Sequence, residues 1–172
     1  MTATGPSDRA ADGARRPIVV AYDATPAAER ALREAAALLA GRPALVLVVW
    51  KAGLAFELIT LPASSIGLPP APLDIRAALA AEQSAYEGAQ RAAEQAAQLA
   101  RELGLDAEPL VVADDPEVPV SETIVSVGRE RDADAIVVGA RTQAGIVDSV
   151  SRGVVRAAPC PVVVVREDVR RH

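Results

Sequence analysis

Five short, largely apolar runs divide the chain, and between most of them apolar residues recur every three or four positions. Each run is four to six residues long and lacks a polar face. This pattern is typical of strands that are covered on both faces in a parallel sheet. The predicted strands are Ile18–Ala21, Ala44–Val49, Glu108–Val112, Ala135–Val138 and Val162–Val165.

The intervals between these runs carry helix signals. Thr25 and Pro26 suit the N-cap and the first position of a helix, and Gly41 suits its end. A long helix is predicted over Leu73–Leu103, with Gly104 ending it. The residues predicted to form its buried side are Ile75, Leu79, Tyr86, Ala93, Ala96, Ala100 and Leu103.

Two further helices are predicted in the second half of the chain. Asp115, followed by a proline, could cap the third helix, although Pro119 leaves its start open. Gly139 is predicted to end the fourth strand, and a loop then leads to Asp148 as the N-cap of the fourth helix. The third helix would point Val120, Ile124 and Val127 inward.

Strands and helices therefore alternate along the whole chain, which predicts an α/β fold with a doubly wound parallel sheet. Residues 1–16 are polar and are predicted to be a disordered tail, residues 17–167 form one domain, and 168–172 form a C-terminal tail. Residues 51–72 hold four prolines and two glycines without a period. We expect a surface excursion there, with Trp50 and Phe56 near its start.

Composition narrows the possible functions. The 172 residues are 51% hydrophobic and carry a net charge of −5, so general binding to nucleic acid or to an anionic membrane is not expected. No apolar run approaches the ~20 residues of a membrane span. From this composition we expect a soluble cytoplasmic protein. The sequence contains one histidine, the terminal His172, and one cysteine, Cys160. These are too few for a histidine-based catalytic triad or for a Cys/His metal cluster.

A few polar residues have both a functional and a structural interpretation. Asp23 follows the first strand, where a carboxylate could bind a ribose hydroxyl or a metal, or could cap the next helix. The acid pairs Asp114–Asp115 and Asp132/Asp134 fit caps and turns. Cys160 lies between two prolines, and we expect a buried small hydrophobe rather than a reactive thiol.

Several motifs carry a resemblance to a known family. They are the first strand with Asp23, the stretch DADAIVVGAR at 132–141, SVS at 149–151 and AAPCPVVVVR at 157–166. Together they resemble the universal stress protein family over Pro17 to Arg166. The resemblance implies an adenine nucleotide alpha hydrolase-like fold, in which helices cover both faces of a five-stranded parallel sheet of order 3-2-1-4-5. It also implies dimers, formed here through Val162–Val165.

Members of that family either bind ATP through a loop of pattern G-x2-G-x9-G-[S/T] or lack the pattern. In this chain Gly139 matches the first glycine, Thr142 replaces the second and Asp148 replaces the third, and Ser149 matches the last position. The loop is four residues shorter than the pattern. Gly145 could restore some turn freedom, but it does not restore the missing length.

Asp148 bears on structure and function together. Its carboxylate can cap the amides of the following helix, and these are the amides that a phosphate would use. The first hypothesis is therefore a dimeric interaction or signalling module of the stress response, without ordinary ATP binding, cofactor, metal or catalytic residues.

The alternative is an adenine-nucleotide sensor that binds ATP or AMP with Mg, with or without slow ATP hydrolysis. Its candidate site comprises Asp23, Gly139, Arg141, Gly145, Ser149, Val150 and Ser151, with Asp148 opposing phosphate. A third hypothesis is an enzyme in which the 51–72 excursion forms a lid and Asp23 acts as the base.

Overall fold

A computed structural model describes residues 15–53, 75–143 and 146–166. Most of the predicted N-terminal tail, nearly all of the 51–72 excursion with Phe56, Gly145 and the C-terminal residues after Arg166 lie outside the described residues.

Seven strands and four helices are formed by these residues. The strands are β1 (Ile18–Ala21), β2 (Pro43–Lys51), β3 (Asp106–Asp114), β4 (Ala135–Ala140), β5 (Thr142–Gln143), β6 (Ile146–Val147) and β7 (Val162–Arg166). The helices are α1 (Pro26–Leu38), α2 (Ile75–Glu102), α3 (Val120–Glu130) and α4 (Ser149–Ala157). All five predicted strands are present, and β2 and β3 extend past both ends of their predicted ranges.

The five long strands form one parallel sheet in the order β3-β2-β1-β4-β7. Counted along the chain within this sheet, the order is 3-2-1-4-5, which confirms the predicted fold class. Strands β5 and β6 pair antiparallel as a small separate hairpin, where the sequence predicted only a loop.

Two apolar layers hold the sheet between the helices. On one face Ile18, Val20 and Val46 pack with alanines and a leucine of α1 and with the C-terminal part of α2. On the other face Val19, Leu47 and Ile136 pack with α3 and α4. Because both faces are covered, neither face of the central strands needs polar residues, and this explains the unbroken apolar runs.

The long helix α2 departs from its predicted buried side. Ala93, Ala96 and Ala100 are buried as predicted, but Ile75 and Leu79 are 53% and 55% exposed. At about 1.5 Å per residue the 28 residues of α2 span about 42 Å, longer than the nine-residue strand β3 beside it. The first turns of α2 are therefore only partly covered: Ala78 is buried there, whereas Ile75 and Leu79 are not.

Three other local predictions were wrong. Leu103 lies beyond the last residue of α2 and is 37% exposed. Asp115 does not cap α3, whose N-cap position is Pro119 without a side-chain bond; it instead accepts a hydrogen bond from Glu117 N in a turn, at 3.0 Å. Gly139 does not end β4, because the strand continues to Ala140.

Ion pairs connect the segments at the amino ends of the strands. Arg16 lies 3.1 Å from the Asp132 carboxylate, and Arg42 pairs with Asp134. The backbone N–H of Asp134 also donates to Pro17 O at 2.9 Å. The acid pair Asp132/Asp134 therefore has a structural role, as predicted, through ion pairing as well as turn formation. Among the described helices none is long and apolar enough to cross a membrane.

Two backbones approach each other closely where α1 meets β4. A Cβ atom added to Gly139 would lie 2.5 Å from Ala27 O and 2.8 Å from Ala28 N. These are backbone atoms of the first turn of α1, so a side chain cannot be accommodated by rotating a neighbour. Position 139 therefore requires glycine for packing.

We expect Gly139→Ala to lower the free energy of unfolding by roughly 1–3 kcal/mol, because α1 must move away from β4 to admit the methyl group. Urea denaturation followed by circular dichroism measures this. Gly88→Ala is the matched control: its Cβ would meet only the far end of Arg91 at 4.0 Å, and alanine should stabilise the interior of α2 by about 0.5–1 kcal/mol. Equal effects of the two variants would contradict the packing role.

Candidate functional site

The strongest candidate site lies at the carboxyl ends of β1 and β4. The chain leaves β1 towards β2 on one side of the sheet, and β4 continues towards β7 on the other. The two connections diverge, and a crevice opens between them, which is where doubly wound sheets place ligands. A cleft of about 120 Å³ occupies this crevice.

The lining of the cleft is mainly apolar with a small polar rim. The apolar part comes from Leu47 and Val49 of β2, Val138 of β4, and Val120, Ile124 and Val150 of the helices on one face. Five polar side chains join them, and these are Tyr22, Asp23, Thr25, Arg141 and Asp148. Such a cleft can bury a flat apolar group and bind its polar substituents at the rim.

Asp23 lines the cleft and also holds the start of α1. Its Oδ1 accepts hydrogen bonds from Thr25 N at 3.1 Å and from Thr25 Oγ1 at 2.5 Å. Thr25 Oγ1 in turn accepts a bond from Ala28 N at 3.3 Å and caps the helix, as predicted. The carboxylate is exposed, so its other oxygen can still receive a donor from solvent or a ligand. The structural and the functional interpretations of Asp23 are compatible.

Asp148 is the N-cap of α4, as the sequence predicts. Its Oδ1 accepts a hydrogen bond from Ser151 N at 2.9 Å, and its Oδ2 accepts one from Arg141 N at 3.0 Å. One carboxylate therefore joins the start of α4 to the residue that follows β4. One N–H group of the first turn of α4, together with the N–H of Arg141, is therefore already paired with a negative charge.

Ser151 lies behind Asp148 and is only 1% exposed. Its hydroxyl is 3.0 Å from Gly139 O and within 3.2 Å of both oxygens of Asp148. A single hydroxyl hydrogen can serve one of these acceptors at a time. Ser151 therefore ties β4 to α4 and contributes to the cleft by fixing Asp148.

The predicted candidates thus fall into three groups. Asp23, Gly139, Arg141, Asp148 and Val150 line the cleft together. Ser149 is exposed at the first position of α4, and Ser151 is buried behind the rim. Gly145 lies outside the described residues.

Sequence reasoning missed the apolar lining, above all Val49, Val120 and Ile124. These side chains belong to strands and helices whose periodicity indicates only that they are buried. The position of Val49 near the carboxyl end of β2 was the one signal that could have placed it at the crevice. In the described part of the chain, no group of three or more His, Cys, Asp and Glu residues could hold a metal ion.

The electrostatic surroundings of the cleft are more negative than positive. Asp23 and Asp148 face one cation, Arg141, among the lining residues. Tyr22, which also lines the cleft, has a pKa raised above its ordinary value, first by partial burial and then by the nearby carboxylates of Glu29 and Asp23. The negative charges of both carboxylates disfavour the phenolate form of Tyr22.

The start of α4 differs from a phosphate-binding helix start in the partners of its N–H groups. In a phosphate-binding helix start, the free N–H groups point at the anion. Here Ser151 N and Arg141 N donate to Asp148, and a phosphate at the same place would meet a carboxylate instead of donors.

Cys160 lies away from the cleft, between α4 and β7, and packs half-buried against the apolar layer formed with α3 and α4. Burial and, secondarily, the charge of Asp134 raise the pKa of its thiol. A raised pKa leaves less thiolate at a given pH, which agrees with the predicted role as a small hydrophobe.

Comparison with known proteins gives a consistent result. A sequence model described as "Universal stress protein family" matches residues 14–166. The structure of a universal stress protein from Archaeoglobus fulgidus is similar, at 29% identity and a TM-score of 0.59, over 87% of this chain and 93% of that one. Comparison with curated proteins finds no match.

Two further similar structures contain adenine nucleotides. The universal stress protein from Archaeoglobus fulgidus in complex with dAMP is 26% identical, with a TM-score of 0.54 over 88% of this chain and 98% of that one. A family protein from Arabidopsis thaliana with AMP bound is 18% identical, with a TM-score of 0.57 over 90% and 93%. The latter supports the fold alone.

We predict that the thiol of Cys160 is alkylated more slowly in the folded protein than in the unfolded chain between about pH 7 and 9, because its pKa is raised. As the only cysteine, it can be followed by the rate of iodoacetamide labelling with and without urea. Asp134→Asn should shift the folded rate profile to lower pH. A folded thiol that reacts at the unfolded rate would contradict this expectation.

Proposed function

The chain belongs to the universal stress protein family, and on that basis we propose that it acts as a dimeric cytoplasmic module of the stress response that does not bind ATP in the ordinary way. The observation that carries this proposal is the position of Asp148. Its two carboxylate oxygens accept the N–H groups of Ser151 and Arg141, at 2.9 and 3.0 Å. The protein itself thereby occupies the anion position at the start of α4.

Charge supports the same conclusion. A triphosphate placed at this helix start would bring its negative charge within a few ångströms of Asp148. At that distance and in a partly excluded solvent, the repulsion costs on the order of a few kcal/mol. The shortened loop between Gly139 and Ser149, with two of the three glycines of the ATP pattern replaced, adds to this cost.

The proposal assigns no catalytic residue. Asp23 is the acid best placed to act as a base in the cleft, and it already accepts two hydrogen bonds from Thr25. These bonds give the Asp23 carboxylate a structural role at the start of α1. An interaction or signalling role uses the fold without requiring turnover.

A second candidate function is binding of an adenine mononucleotide in the cleft. The apolar side chains of Val49, Val120, Ile124 and Val138 form a surface that suits a purine ring. Asp23 at the rim can accept a ribose hydroxyl. A relative at 26% identity contains dAMP, which has one phosphate where ATP has three.

Dimerisation is proposed to use the free edge of the sheet. Strand β7 lies at the end of the strand order, and its valines are half-buried in the isolated chain. Ile136 N donates to Pro161 O at 3.0 Å, so alternate residues of β7 face β4, and the backbone groups of Val162 and Val164 point away from it. An exposed apolar edge of this kind favours pairing with a second copy about a two-fold axis.

The absence of ordinary ATP binding is testable by isothermal titration calorimetry with Mg-ATP. We expect no sub-micromolar binding by the unaltered protein. Asp148→Gly should raise the affinity at least about tenfold, because it removes the charge and frees two N–H groups, while glycine remains an acceptable N-cap.

Asp132→Asn is the matched control for this experiment. It removes one carboxylate at the opposite end of the sheet, at a residue whose φ of 49° asparagine tolerates well. It should leave ATP binding unchanged. Sub-micromolar binding by the unaltered protein, or equal affinity of the Asp148→Gly protein, would refute the proposed role of Asp148.

The dimer is testable with two proline substitutions in β7. Val164→Pro removes an N–H that points away from β4, so it should give monomers by light scattering while the melting temperature of the fold changes little. Val163→Pro removes an N–H directed at β4 and should instead destabilise the sheet. A Val164→Pro protein that remains dimeric would indicate a different interface.

A further inference from the structure

We infer that the cleft selects its ligand by charge, binding the uncharged nucleoside adenosine more tightly than AMP and AMP more tightly than ATP, and that Asp148 sets this order. The inference rests on the second candidate function above, adenine recognition in the cleft. It deepens that function by naming the class of ligand, a neutral purine nucleoside, and the residue that determines the specificity.

The first support is that Asp148 cannot easily turn away from a ligand. Both of its oxygens are engaged, one by Ser151 N and the other by Arg141 N. The buried hydroxyl of Ser151 lies within 3.2 Å of the same two oxygens. Rotation of the carboxylate out of the rim would leave these N–H groups without their acceptor. Ser151 is too deeply buried for a water molecule to take the place of the Asp148 carboxylate.

The second support is the balance of charge around the cleft. The rim combines the carboxylates of Asp23 and Asp148 with a single cation, Arg141. The adjacent Glu29 adds a further negative charge, although it is paired with Arg33 at 2.5 Å. A neutral ligand experiences little of this field, whereas each added phosphate brings further negative charge to the same rim.

The third support is the size and polarity of the space. About 120 Å³ is small beside the roughly 300–1,000 Å³ of sites that enclose whole drug-sized ligands. The apolar walls formed by Val49, Ile124 and Val138 can enclose a ring system. The rest of a nucleotide would extend to the polar rim, where Asp148 is placed.

The test is calorimetric titration of the full chain with adenosine, AMP and Mg-ATP, for the unaltered protein and for Asp148→Asn. Asparagine can keep the N-cap bond to Ser151 N, so α4 should still start at the same place; the substitution removes the charge and the acceptor for Arg141 N. We expect adenosine to bind at least about tenfold more tightly than ATP in the unaltered protein. In the variant this ratio should fall at least about fivefold, chiefly because ATP binds more tightly.

Two further measurements make the result independent of that one variant. Arg141→Gln keeps the backbone N–H that bonds Asp148 but removes the cation, so it should weaken the binding of ATP more than the binding of adenosine. Raising the salt concentration from about 0.05 M to about 0.5 M should lower the ratio of adenosine affinity to ATP affinity, because screening weakens the repulsion between Asp148 and the phosphates. Asp132→Asn should reproduce the unaltered protein in every titration.

The possible outcomes separate this inference from the proposed function. Failure of adenosine to bind, or equal affinities for adenosine and ATP, overturns the inference and leaves the absence of ordinary ATP binding intact. Sub-micromolar ATP binding overturns the proposed function. A preference for adenosine that persists undiminished in both Asp148→Asn and high salt overturns the role of Asp148.

Discussion

The first turn of α1 lies against the end of β4 with no room for a side chain between them, and much of the architecture at this end of the sheet follows from that contact. A Cβ at Gly139 would come within 2.5 Å of Ala27 O. The close approach brings the N-cap Thr25 and its partner Asp23 beside the end of β4, where Arg141 follows. The floor of the cleft and its polar rim therefore depend on one glycine, whose required role is in packing.

A second constraint operates at the start of α4. Every helix begins with N–H groups that lack partners within the helix, and either a side chain or a ligand must satisfy them. In this protein Asp148 satisfies Ser151 N and, through its other oxygen, also Arg141 N. Because a carboxylate and a phosphate compete for the same donors, the stabilisation of this helix and the proposed exclusion of a polyphosphate have one physical cause.

Parts of this picture could be predicted from local pattern. Runs without a polar face indicated all five strands of the sheet, and Thr25 and Asp148 were identified as N-caps. Predictions from local pattern were wrong where contacts with distant elements decide whether a side chain is buried or caps a helix. The apolar period of α2 continues through Ile75 and Leu79, but Ala78 is the buried residue in this part of the helix and both larger side chains are exposed. Asp115 has the side chain of a cap, yet it accepts from Glu117 in a turn before Pro119.

The sequence by itself determined the order of strands and helices, the ends of α1 and α4 at which caps lie, and the replacement of two loop glycines, because burial periodicity and capping act over a few residues. Only the tertiary structure decided which side chains form the cleft. Val49, Val120 and Val138 come from separate elements, and they meet because the strand order reverses between β1 and β4. The requirement for glycine at 139 is likewise tertiary, since the atoms that exclude a side chain belong to a helix more than a hundred residues earlier in the chain.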